Sequence, residues 1–183
     1  MSRVNFQLDW IRMTKSSSES VADSLYTDLE TELATTRRML ERFPSGKSEW
    51  RPHEKSMTLG SLASHVAEIP QYGITILVTD ELDFAKSSYE PSTCDTAEDL
   101  LAVFDRKVSQ LRPALATLDA TTVMTPWTMR NGEYVIFTQP KGAAFRRVML
   151  NHLVHHRAQL GVYYRLLGIP VPGSYGPSAD EPM

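Results

Sequence analysis

The stretch KGAAFRRVMLNHLVHHRAQLGVYYRLL, Lys141 to Leu167, decides the fold. On a helical wheel at about 100° per residue, Phe145, Val148, Met149, His152, His156, Gln159, Leu160, Tyr163 and Leu167 share one stripe about 120° wide. His155 falls on the edge of that stripe and Arg157 outside it. Gly168 and Pro170 then stop the helix. The pattern predicts the longest helix of the chain, starting at Lys141 or Gly142 and about 39 Å long at the usual rise per residue. Its inward face carries two histidines at its centre.

Working outward, three more helical segments are readable. Glu19 to Arg42 places Val21, Leu25, Leu29, Leu33, Thr36 and Leu40 at three- and four-residue spacing, and Pro44 and Gly46 end it. A linker follows, fixed by Trp50 and Pro52. Thr58 can cap a second helix running to about Thr79, with a kink or early break at Pro70. Asp80 to Asp95 reads as a polar connection. Thr96 and Asp99 have capping-box spacing before a third helix marked by Leu100, Val103, Phe104, Val108, Leu111, Leu115 and Leu118. Between the third and fourth helices, Trp127, Met129, Tyr134, Ile136 and Phe137 flank Asn131-Gly132, a short-range hairpin signal. The expected class is therefore all-α: a four-helix bundle with a small β-hairpin inserted between helices three and four. Residues 1–18 read as an N-terminal arm that docks on the body or frays, and 19–183 as the bundle with an extended Pro- and Gly-rich tail.

Composition narrows the function classes. The chain has 183 residues, 19 Lys and Arg against 22 Asp and Glu, and a net charge of −3. That balance argues against nucleic acid as the main partner. The arginines of the last helix, Arg146, Arg147, Arg157 and Arg165, are scattered and expected to pair with carboxylates on other helices or on a second subunit. No apolar run is long enough for a membrane span, and Met1 to Lys15 lacks a signal-peptide core, so a cytoplasmic location is expected. A single cysteine, Cys94, excludes an internal disulfide and a cysteine-based zinc site, and nothing beside it would lower its pKa.

The histidines carry the chemistry. An inward imidazole costs free energy unless its nitrogens find partners. One is usually a satisfied structural histidine. His152 and His156, in adjacent turns on one apolar stripe, fit either that reading or a divalent ion that accepts a lone pair from each ring. His65, on the inward face of the second helix with Leu62, Ile69, Tyr72 and Ile76, offers a third ligand from a facing element. Three neutral imidazoles would leave coordination positions open, as catalytic rather than structural zinc sites do. Zinc, nickel and iron all suit such ligands. Glu68, one turn beyond His65, is a candidate general base or hydrogen-bond partner of a ligand, or a solvated carboxylate. Gln159 could bind a substrate or satisfy a core amide. His53, beside Pro52, reads as solvent-exposed, and Tyr72 and Tyr163 read as core aromatics.

Two segments also carry a resemblance. Trp50-Arg-Pro-His-Glu-Lys-Ser-Met-Thr-Leu-Gly-Ser-Leu-Ala-Ser-His65 and Asn151-His152-Leu-Val-His155-His156-Arg157-Ala-Gln159-Leu160 resemble the linker with second helix, and the last helix, of the DinB-like superfamily. The run Thr36 to Glu41 and the ending Val171 to Glu181 are similar to one branch of it. The resemblance implies a four-helix bundle with a divalent ion on His65, His152 and His156, a bacterial origin and frequent homodimers. It implies an activity such as that of relatives that are thiol-dependent S-transferases using bacillithiol, mycothiol or glutathione, or a mycothiol-dependent isomerase. The superfamily's name derives from induction by DNA damage and does not imply DNA binding. The leading expectation is thus a metal-dependent transferase joining a low-molecular-weight thiol to a small electrophilic substrate. The alternatives are a hydrolase using metal-bound hydroxide with Glu68 as base, and a metal-binding bundle without turnover.

Overall fold

The computed structural model describes residues 27–87, 93–116 and 118–182. The expected arm at residues 1–18 and the first part of helix one lie outside the described residues. The first helix, α1, covers 27–40 within them, and buries Leu29, Leu33 and Leu40. It is followed by α2 (Leu59–Glu68), α3 (Pro70–Val78), β1 (Glu81–Asp83) and α4 (Ala97–Ala116). A short α5 (Ala120–Met124), the strands β2 (Pro126–Asn131) and β3 (Tyr134–Pro140), α6 (Lys141–Phe145), a π-helical turn (Arg146–Leu150) and α7 (Asn151–Leu166) complete the order. The chain is a helix-rich fold with a small three-stranded sheet.

Local chemistry explains most boundaries. The Thr58 hydroxyl accepts from the Ser61 N–H (3.2 Å) and so starts α2. Pro70 lacks an N–H and sits at the first position of α3, so the expected single helix is two segments joined at Ile69. At the start of α4 the Thr96 hydroxyl accepts from the Asp99 N–H (3.1 Å) and donates to the Asp99 carboxylate (2.7 Å). That helix ends at Ala116, leaving Leu118 beyond it.

Two departures concern the sheet. The connection expected to be merely polar contains β1, which pairs parallel to β2 with Leu82 opposite Met129. The hairpin is therefore one part of a sheet ordered β1-β2-β3. Its antiparallel pairing sets Asn131 opposite Tyr134, so the two-residue turn is Gly132-Glu133, one residue later than Asn131-Gly132. Gly132 has φ +58° and no non-glycine residue among those described has a positive φ, the combination of a type II′ turn. The Asp83 carboxylate accepts from both the Gly132 N–H (2.8 Å) and the Ala85 N–H (3.0 Å), tying the turn to the end of β1.

Packing brings α2 against α4 and α7, and α3 against α4 and α6. Gly73 is the close-approach point: a Cβ there would lie 3.0 Å from both Leu111 and Phe145 side-chain atoms. Trp127, Phe104, Phe145 and Tyr164 are the largest fully buried side chains.

The π-helical turn corrects the wheel of the last helix. It adds a residue to one turn, with the Asn151 N–H reaching the Arg146 carbonyl. Beyond it the buried side chains are Leu153, Arg157, Leu160, Tyr163 and Tyr164, which is the predicted stripe displaced by about one residue. Arg157 is thus 2 % exposed rather than outside the core. Gln159 is exposed rather than inward, and His152 and His156 are half-buried at the flank of the stripe.

Candidate metal centre

Three imidazoles meet where α2 faces α7. The His65 Nε2 lies 3.2 Å from the His152 Nε2, and the His156 Nε2 lies 2.9 Å from the same atom. One nitrogen from each ring falls within 4.8 Å of those of the other two, and this is the group of metal-ligating side chains found among the described residues. His53 is exposed and apart from them, its Nδ1 accepting from the Lys55 N–H (3.1 Å). His155 is also exposed, stacked edge-on against His156.

With the Gln159 amide oxygen turned toward His156, the Nδ1 contacts assign the tautomers. A carbonyl oxygen only accepts, so the His156 Nδ1 donates to the Gln159 Oε1 (2.8 Å). The His152 Nδ1 donates to the Val148 carbonyl (3.3 Å) inside the π-helical turn. A neutral imidazole has one N–H, so the Nε2 atoms of His152 and His156 are both bare lone pairs, 2.9 Å apart. Two acceptors at that distance repel. A cation between them removes the conflict, and nitrogens sharing one tetrahedral ion at about 2.0–2.1 Å each sit about 3.4 Å apart. The residues present therefore fit a divalent ion, with Gln159 and the Val148 carbonyl orienting two of the three rings.

Electrostatics favour the same state. Burial, helped by His152 and His156 and opposed by Glu68, brings the His65 pKa down to about 4. Burial is also the main cause lowering His152 and His156. The rings are neutral at physiological pH, which is the form a metal requires.

Two clefts flank the cluster and share Tyr72 and Phe84. One, about 410 Å³, opens on His152 and is walled by Met129, Phe137 and Arg147. The other, about 380 Å³, is lined by Glu68, Gln71 and Thr75. Glu68 thus lies at the rim of a cleft next to the centre. Burial and the Glu68 charge raise the Tyr72 hydroxyl pKa, so it stays protonated. Sequence reasoning named the three histidines, which the structure brings together, and also Glu68 and Gln159, which lie at the rim of a cleft and beside His156. It did not find the Val148 carbonyl, which no residue type announces, or the wall residues of the sheet.

The sequence pattern of the DinB family matches residues 8–182. The chain belongs to the DinB family. The uncharacterized protein YrdA of Bacillus subtilis (strain 168) is 24 % identical over 159 residues, 87 % of this chain and 90 % of that protein. A DinB-like protein from Bacillus cereus ATCC 10987 superposes with a TM-score of 0.63 at 19 % identity, over 84 % of this chain and 97 % of that one. The DinB-like protein YjoA of Bacillus subtilis gives 0.61 at 16 % identity, over 82 % and 96 %. At these identities the structural likeness speaks for the fold.

The arginines of α7 and of the turn before it lie apart from the histidine nitrogens. The arginines expected to pair with carboxylates do so at Arg146–Asp28 (3.9 Å), Arg157–Glu32 (2.6 Å) and Arg165–Asp180 (2.6 Å). Arg147 instead stacks on the Phe137 ring. Cys94 is buried, with its N–H donated to the Ser64 hydroxyl (2.8 Å). No helix among the described residues is long and apolar enough to cross a membrane.

Proposed function

We propose that this DinB family chain is a metal-dependent transferase, in which His65, His152 and His156 hold one divalent ion and a low-molecular-weight thiol is joined to a small electrophile. The observation that carries this reading is the pair of bare lone pairs 2.9 Å apart on His152 and His156, with His65 beside them. A divalent ion at three neutral imidazoles acidifies a bound thiol or water and leaves room for it. Gln159 and the Val148 carbonyl hold two rings in the tautomer that presents Nε2. Tyr72, protonated and shared by both clefts, can donate a hydrogen bond to a bound molecule. Met129 and Phe137 give the cleft beside His152 an apolar wall for the body of a bound molecule. Zinc, nickel and iron all suit the donor set. The same reading makes the helices a four-helix bundle, with α2–α3 and α6–α7 each counted as one arm, working as a homodimer in the cytoplasm on small molecules.

Purified protein loaded in turn with zinc, nickel and iron, and incubated with several bacterial thiols and a model electrophile, should consume thiol faster than the His152→Ala variant. Thiol consumption at background rates with every metal would overturn the transferase assignment. Glu68 at the rim of the second cleft supports one other reading, hydrolysis with Glu68 as general base. Unchanged ester hydrolysis in Glu68→Gln would remove that residue from any such mechanism.

A further inference from the structure

The two clefts beside the histidines differ in charge. The one lined by Glu68 carries no cation among its described lining residues. The one that opens on His152 carries no carboxylate and is bordered by Arg147. Other arginines of α7 and its preceding turn are spent on carboxylates. Arg147 has no ion pair among the described residues. Its guanidinium carbon sits 4.3 Å from the centre of the Phe137 ring. Stacking on an aromatic face fixes a guanidinium plane while leaving its N–H donors at the edge, where they match the two oxygens of a carboxylate. The cleft between Arg147 and His152 is otherwise lined largely by apolar side chains, including Met129, Ile136 and Phe137, with the Asn151 amide at its border.

We propose that Arg147 is an anion anchor, and that the molecule entering the cleft beside His152 carries a carboxylate on an apolar body. The carboxylate pairs with the guanidinium at the mouth, the body lies against Phe137 and Met129, and the far end reaches the histidines. This rests on reading the histidine cluster as the reacting centre, and it assigns Arg147 as a specificity-determining residue.

The test uses metal-free full-length protein, so that neither a metal nor a thiol contributes. Isotope-labelled protein is titrated by NMR with 3-phenylpropionate and with the neutral 3-phenylpropanol, following the Arg147 side-chain N–H and the Phe137 amide. A charge-assisted contact at a partly exposed site should make the acid bind about tenfold more tightly than the alcohol. Arg147→Gln should bind the two alike, and Arg147→Lys should keep part of the preference. Equal binding of acid and alcohol by the wild type, a preference that survives Arg147→Gln, or saturable binding of neither compound would each overturn the proposal. A failed thiol assay with the metal-loaded protein would leave this result untouched, so the two readings fail separately.

Discussion

His156 and Arg157 are neighbours on α7, yet they belong to polar clusters of opposite character. Arg157 is closed by its own fold. Its guanidinium meets the Glu32 carboxylate at 2.6 Å, donates to the Thr36 hydroxyl (3.2 Å) and the Glu32 carbonyl (3.1 Å), and reaches the Tyr175 hydroxyl (3.1 Å). Tyr175 in turn donates to Glu32 (2.7 Å). The opposite charges there are paired, with the buried Glu32 Oε2 held by the ion pair and not by a hydrogen bond, and the cluster pins α1, α7 and the C-terminal tail to one another. The histidine pair on α7 is not matched in this way: the Nε2 acceptors of His152 and His156 face each other at 2.9 Å, and no cationic side chain among the described residues is found between them. A buried polar group whose complement lies in the same chain is read as structural. A group whose complement is missing and which opens on a cleft, as His152 does, points to a ligand.

That contrast can be broken first at the matched cluster, where the largest effect is expected. Arg157→Ala leaves Glu32 without its cationic partner and should cost about 3 kcal/mol of stability in chemical denaturation. Adding Glu32→Leu should recover part of the loss, while metal uptake by the folded fraction stays normal. His152→Ala should do the reverse. It should weaken affinity for cobalt or zinc by more than about 100-fold in competition with a chromophoric chelator, with little change in metal-free stability. Gln159→Ala removes only the exposed acceptor that orients His156, and should weaken metal binding by about tenfold.

The smallest effect is the acid response of the metal-free protein. The folded His65 titrates at about 4, below its ordinary value near 6.5, and His152 and His156 are shifted in the same direction. As pH falls the unfolded chain takes up these protons first. The stability these histidines contribute should therefore be complete above about pH 6.5 and be lost as pH falls toward 4, with the carboxylates held low by their partners, Glu30 and Asp180 among them, adding further loss at lower pH. Thermal melts across this range check it, and His65→Leu should flatten the slope.

The site was more legible in the sequence than the surfaces around it. A four-residue spacing puts His152 and His156 on one side of any helix, and Thr58 announces the start of the helix that carries His65. Those are local rules that survive errors elsewhere. The burial of Arg157 was not legible, because a wheel assumes a constant angle per residue and the turn at Arg146–Leu150 inserts one more. Gln159 was misplaced for the same reason, although its bond to His156 is one that a three-residue spacing allows. β1 escaped because three residues carry no period, and its identity depends on Met129 and Arg130 far along the chain. Asn131-Gly132 marked the hairpin, but Gly132 alone supplies the positive φ, which moved the turn by one position.

The account stands on the convergence of His65, His152 and His156 on a common cation. Elemental analysis of the protein as purified, beside His152→Ala prepared identically, tests it most directly. The account predicts close to one divalent transition metal per chain in the wild type and a large loss in the variant. A wild type that carries no metal and takes none up from zinc, nickel or iron, or a variant that retains it fully, would contradict it.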